Sequence, residues 1–147
     1  MKNILLISLL IINIFASSSI RDINSATVLN PKTLHMWQDD SDSKTLELTW
    51  QEAIDYCENN VSLGEFNDWR LPNINELNMI VNLSRNSPAI DTIFSNIEAY
   101  SGGYWSSTTY MRPDYQHQAW YVDFIQGDIK TKNKSLTLKV RCIRDFN

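Results

Sequence analysis

The chain has 147 residues, 20% of them charged and 43% hydrophobic, and a formal net charge of −4. That length suits one domain, and five Trp, six Tyr and five Phe supply the bulk of a dense core. The balance excludes a disordered chain, and an acidic protein offers no general attraction to nucleic acid.

Lys2 precedes a nearly continuous apolar run from Ile4 to Phe15, and the small residues Ala16-Ser17-Ser18-Ser19 follow. This is the pattern of a secretory signal peptide. Residues 1–19 are therefore expected to be removed, leaving 20–147 as one exported domain, periplasmic or extracellular. The run is shorter than the roughly 20 residues of a spanning helix. No membrane span is expected after cleavage, although an N-terminal anchor is the competing reading. No Cys follows the run, so no lipoprotein attachment site is present. Export bears on the only two cysteines, Cys57 and Cys142. In an oxidising compartment an isolated pair most simply forms one disulfide. Two free thiols or a catalytic Cys are the alternatives.

Thr27-Val28-Leu29 reads as a short strand, Asn30 to Thr33 as a turn, and Leu34 to Trp37 as a second strand. Asp39-Asp40-Ser41-Asp42-Ser43 invites a calcium reading, but the Gly and terminal Glu of an EF-hand loop are missing. A solvated turn is expected. Thr49-Trp50-Gln51-Glu52 is a capping box, and Trp50, Ala53, Ile54 and Cys57 share one helical face, with Cys57 inward. In Asp68-Trp69-Arg70-Leu71-Pro72-Asn73-Ile74-Asn75-Glu76-Leu77, proline holds Leu71 extended. Asn73 caps a second helix, with Glu76 at the capping-box position. Ile74, Leu77, Ile80, Val81 and Leu83 are its expected buried stripe. A short helical turn is expected over Ile90 to Phe94.

The remainder is β in character. Gly102-Gly103 introduces an aromatic strand, Tyr104 to Tyr110. Ala119 to Ile125 alternates, with Trp120, Val122 and Phe124 on one face, and Gln126-Gly127-Asp128 is a hairpin signal. In a last strand Leu136, Leu138, Val140 and Cys142 point one way, and Thr137, Lys139, Arg141 and Ile143 the other. Two helices followed by strands make the fold class α+β.

These elements together resemble one bacterial family, domain-of-unknown-function family 1566, also called the Lcl C-terminal family. The resemblance is carried by Met36 to Asp40, Thr49 to Cys57, Asp68 to Leu77, Pro88 to Asp91, Tyr104 to Thr108, Ala119 to Phe124 and Val140 to Arg144. It implies a C-type-lectin-like fold of the kind related to formylglycine-generating enzymes, with two helices packed on a twisted, mainly antiparallel sheet. It also implies a disulfide from the first helix to the last strand, in agreement with Cys57 and Cys142. Family members are exported, and some are terminal domains of adhesins.

No catalytic constellation stands out. His35 and His117 lack a nucleophile elbow beside them, and two dispersed His with a Cys pair make no zinc set. No metal and no cofactor are expected. The formylglycine-generating activity needs further cysteines that this chain lacks, so it is not carried over. Trp69, Arg70, Leu71, Pro72, Glu76 and Trp105 read as structural, with Arg70 pairing Glu76 or a carbonyl, and a ligand carboxylate as the alternative partner of Arg70. Tyr104 and Trp105 have a sugar-stacking alternative. Tyr110, Arg112, Tyr115 and His117 form a polar, aromatic stretch around Pro113 that suits ligand contact. Residues 127–147 are net basic in an acidic chain, and Lys130, Lys132 and Lys134 share one parity. Such a patch would attract a polyanion or protect a sheet edge. The expected function is an exported, non-enzymatic binding or adhesion-type module for a glycan or polyanionic surface ligand. The alternatives are an enzyme site near Asp68, Arg70 and His117, and a subunit of an envelope assembly.

Overall fold

The computed structural model describes residues 18–98 and 103–146. The apolar leader up to Ser17 and Gly102 lie outside the described residues. The architecture is α+β, with few helices and two sheets. Three short strands come first among the described residues: β1 (Ile20–Asp22), β2 (Thr27–Asn30) and β3 (His35–Gln38). Then come α1 (Asp42–Thr45), β4 (Glu47–Leu48), α2 (Trp50–Asn59) and α3 (Ile74–Asn78). The strands β5 (Gly103–Thr109), β6 (Gln118–Asp123), β7 (Asp128–Asn133), β8 (Leu138–Lys139) and β9 (Ile143–Asp145) complete it. One sheet has the order β1-β2-β3-β9, the other β4-β8-β5-β6-β7. Among the described residues the strand pairs are antiparallel except β5 with β8.

The period of two along extended chain sends successive residues to opposite sides, and here both sides are apolar. Met36, Trp105 and Cys142 join a cluster with Ala53 and Cys57 of α2, Trp69 and Leu71. Their chain neighbours Trp37, Tyr104 and Ile143 join a second cluster with Leu77, Ile80, Ile90 and Phe94. Two of the buried indole N–H groups find a carbonyl: Trp69 donates to Phe66 at 3.1 Å and Trp105 to Leu48 at 2.9 Å. Cys57 and Cys142 are bonded, with Cα atoms 5.6 Å apart, so α2 is tied to the chain just before β9.

The segment Asp68–Leu77 joins the two sheets. Arg70 exchanges both backbone hydrogen bonds with Ile143 of β9, each at 2.9 Å, and Ser107 of β5 donates to Pro72 at 2.8 Å. The Thr108 hydroxyl oxygen accepts from Ile74 N–H at 3.0 Å. At the start of α3, Asn73 Oδ1 accepts from Glu76 N–H at 3.0 Å while Glu76 accepts from Asn73 N–H at 2.8 Å.

Several expectations are corrected. The described residues form two sheets, not one. The second helix ends at Asn78 because the chain must turn to bridge Val81 with Ile90. Leu83 consequently lies past the helix and is 78% exposed. Ile90 to Phe94 is a bridge and a turn, not a helical turn. The last strand divides: β8 pairs with β4 and β5, and β9 pairs with β3. Leu136 sits in the turn before β8 and is exposed, because Asn133 closes that turn on Ser135 and Leu136. The acidic run is no solvated turn. Asp39 and Ser43 are fully buried, and Asp42 to Thr45 forms α1.

Candidate functional site

The loop from β5 to β6 gathers four rings at the protein surface. Tyr110 N–H donates to Gln118 at 2.9 Å, closing the loop at its base. Inside it, Tyr115 N–H donates to Arg112 and Gln118 N–H to Tyr115, which coils the chain into consecutive turns. Asp114 adopts a positive φ of 68° inside the first of them, a conformation that Asp tolerates better than most residues. The side chains then meet edge to face. The Tyr110 ring stands 5.0 Å from that of Trp120 and 6.1 Å from that of Tyr115. His117 stacks on Tyr115 at 6.1 Å, and the Arg112 guanidinium lies 5.4 Å from the Tyr115 ring centre. Tyr115, Arg112 and His117 are exposed, while Tyr110 and Trp120 are half-buried. The loop therefore brings Tyr110, Arg112, Tyr115 and His117 together. It adds Trp120, whose parity with Val122 and Phe124 had pointed to the core. Trp120 lies near the loop end of β6, so its ring is covered by Tyr110 instead of a facing sheet.

Around Arg70 lies a second polar cluster. Its guanidinium makes a paired contact with Glu76, at 2.8 and 2.7 Å, and reaches Asp145 at 3.1 Å. Burial alone would raise the Glu76 carboxyl. The Arg70 bonds, the Asn73 N–H and the Arg70 charge outweigh it and hold the group below the usual carboxylate range. Next to it Arg144 clasps Asp68 at 2.6 and 3.0 Å and lies 3.8 Å from the centre of the Phe66 ring. The Arg144 bond draws the Asp68 carboxyl down too. His35, Glu76 and Asp145 offer ligand atoms within 4.8 Å of one another. Arg70 already takes both Glu76 oxygens there and supplies the positive charge, so the donor set suits an ion-pair network better than a metal. Asp68 and Arg70 thus engage Arg144 and Glu76. Among the described residues no hydrogen bond, ion pair or ring contact links either to His117.

A third cluster escaped sequence reasoning. Asp39 accepts from Arg21 at 2.7 Å, from Arg141 at 3.1 Å, and from the N–H groups of Ser95 and Asn96 at 3.0 Å each. Arg141, also fully buried, donates to Gln38 O and Asn96 O and lies against Phe94 and Tyr104. The sequence held one signal. Ile143 shares the parity of Arg141, the one apolar residue on a face otherwise made of Thr137, Lys139 and Arg141.

The lysines do not form an open patch. Lys130 pairs with Asp123 at 3.0 Å and Asp128 at 3.2 Å. Lys134 lies 3.9 Å from the centre of the Trp50 ring and donates to Thr109 at 2.8 Å, and its burial lowers the ammonium pKa. Lys130 lies in β7 and Lys134 just past it, and β7 is the edge of its sheet.

Compared with known families, residues 26–144 match the model of the Lcl C-terminal domain. The chain belongs to that family. The match begins just before β2 and ends inside β9, so this Lcl C-terminal domain comprises the five-stranded sheet and all of the four-stranded one except β1 and the end of β9. The Arg70–Glu76 pair, the disulfide and the Asp39 cluster apart from Arg21 fall within it. No curated protein matches the chain. Among the described residues no helix is long and apolar enough to cross a membrane.

Proposed function

We propose that this Lcl C-terminal domain is an exported, non-enzymatic binding module, and that its ligand surface is the ring cluster of the β5–β6 loop. One observation carries the reading: Tyr110, Tyr115, His117 and Trp120 are held together at the surface beside Arg112. Exposed aromatic faces accept the apolar face of a saccharide, while Arg112 supplies donors for hydroxyl or acidic groups. Two-torsion rings lose little entropy on binding. A glycan of a cell or matrix surface is the ligand class these groups suit. We read the fold as C-type-lectin-like, of the formylglycine-generating-enzyme-related kind, in which a disulfide commonly joins the first helix to the last strand; the Cys57–Cys142 bond supports the reading by joining α2 to the residue before β9.

A glycan array probed with the purified domain, with and without calcium, tests the reading. Binding is expected to disappear in an Arg112→Ala, Tyr115→Ala double variant of unchanged thermal stability, since both side chains lie on the surface. Tyr110 is better left in place, because its contact with Trp120 contributes about 0.5–1.5 kcal/mol. A glycan bound equally well by the double variant would move the site elsewhere.

A further inference from the structure

We propose that Asn60 is an acceptor for N-linked glycosylation in the folded protein; the inference rests on the export proposed above, because the sugar donor is membrane-bound and presented outside the cytoplasm. Glu58-Asn59-Asn60-Val61-Ser62 contains the Asn-X-Ser acceptor triplet, with no Pro at X. It also places a carboxylate two residues before the asparagine, where a transferase with a basic acceptor groove finds a handle.

The geometry separates this triplet from the two others in the chain, Asn82-Leu83-Ser84 and Asn133-Lys134-Ser135. Asn82 is half-buried, and its side-chain oxygen accepts from Ser84 N–H at 3.0 Å. Asn133 accepts from both the N–H and the hydroxyl of Ser135, each at 2.9 Å. Both are closed on their own serine, and neither has an acid two residues earlier. Asn60 caps the C-terminal end of α2. Glu58, Asn59, Asn60 and Ser62 are all exposed, and only Val61 is anchored. Among the described residues no hydrogen bond engages the Asn60 side-chain amide or the Ser62 hydroxyl.

Asn60 also borders a groove of about 450 Å³ with Leu46, Leu48 and Tyr56 along it and the carboxylates of Asp42 and Asp55 beside them. A first sugar attached at Asn60 has room there, with apolar surface for its ring and acceptors for its hydroxyls. In the transfer the Asn60 amide nitrogen attacks C1 of the first sugar of a polyprenyl-pyrophosphate-linked oligosaccharide. The N–C bond forms as the C–O bond to pyrophosphate breaks. The pyrophosphate leaves with the bonding pair, and the amide gives one proton to a carboxylate of the transferase.

The test incubates the purified, disulfide-closed domain with a bacterial oligosaccharyltransferase and its lipid-linked donor, beside a synthetic peptide of residues 58–64. Intact mass and peptide mapping should show one glycan on Asn60. It should be absent from Asn60→Gln and Ser62→Ala and retained in Asn82→Gln and Asn133→Gln. A peptide that is modified while the folded domain is not would overturn the proposal, as would a peptide that is inert or a glycan placed on Asn82 or Asn133. Export is read separately, by cell fractionation and thiol alkylation of Cys57 and Cys142, so failure of that reading is told apart from failure of the acceptor site.

Discussion

Asp39 and Arg141 are the residues whose sequence context says least about their surroundings. An acid in a run of acids reads as solvated, yet both groups are fully buried and face each other at 3.1 Å. Removing one partner leaves the other charged and enclosed, so Arg141→Ala is expected to destabilise the fold by about 3–5 kcal/mol in urea unfolding. A loss well under 1 kcal/mol would mean that Arg21 and the N–H groups of Ser95 and Asn96 suffice to hold the Asp39 charge. Glu76 makes a pH prediction. Its carboxyl is held below the ordinary value of 4.5, so its contribution is fully present above that pH. It is lost as pH falls through the lower, folded value, where the acid must take up a proton that opposes the Arg70 contact. Glu76→Gln should therefore flatten the stability profile below about pH 4.5 without changing the sign of the slope contributed by Asp68, which is also drawn down. An unchanged acid limb would remove Glu76 from the account.

Local chemistry predicted element starts better than element ends. Thr49 and Asn73 begin α2 and α3 as their side chains dictate, since a cap bonds to atoms three residues away. The end of α3 depends on the Val81 bridge to Ile90, nine residues on, and no local rule contains it. Leu83 was misread for that reason, and Leu136 because strand alternation was carried through a turn. The ring cluster was legible as composition, but Trp120 entered it only through the pairing of β5 with β6. Because α3 is five residues long, its cap matters. Asn73→Ala should cost about 1 kcal/mol, measured by thermal unfolding. Gly103 shows the same dependence on a distant residue. A Cβ there would come within 1.9 Å of the Tyr121 ring, which lies diagonally across the β5–β6 pair. Gly103→Ala should destabilise by about 1–3 kcal/mol, and most of that loss should vanish in a Tyr121→Ala background. An undiminished penalty there would trace the cost to the backbone instead.

On the scale of the whole molecule, the chain passes between its two sheets at Val140 to Cys142, where the Cys57 bond fastens it to α2. The bond closes a loop of 85 positions. In the chain-entropy account such a loop contributes on the order of 4–5 kcal/mol. A Cys57→Ala, Cys142→Ala variant should lose a substantial part of that, seen as a lower urea midpoint. An unchanged midpoint would place the stability in the two apolar clusters alone. The same bond decides how the domain carries tension. A pull on β1 and β9 runs from Ile20 along the chain to Cys57, crosses the sulfur bridge to Cys142 and leaves through β9. About 300 Å of contour length stays locked behind the bridge, including β5, β6 and the ring-bearing loop between them. In single-molecule stretching that length should be released only after reduction. When tension passes between the two ends of the domain, the ring-bearing loop therefore lies off its path.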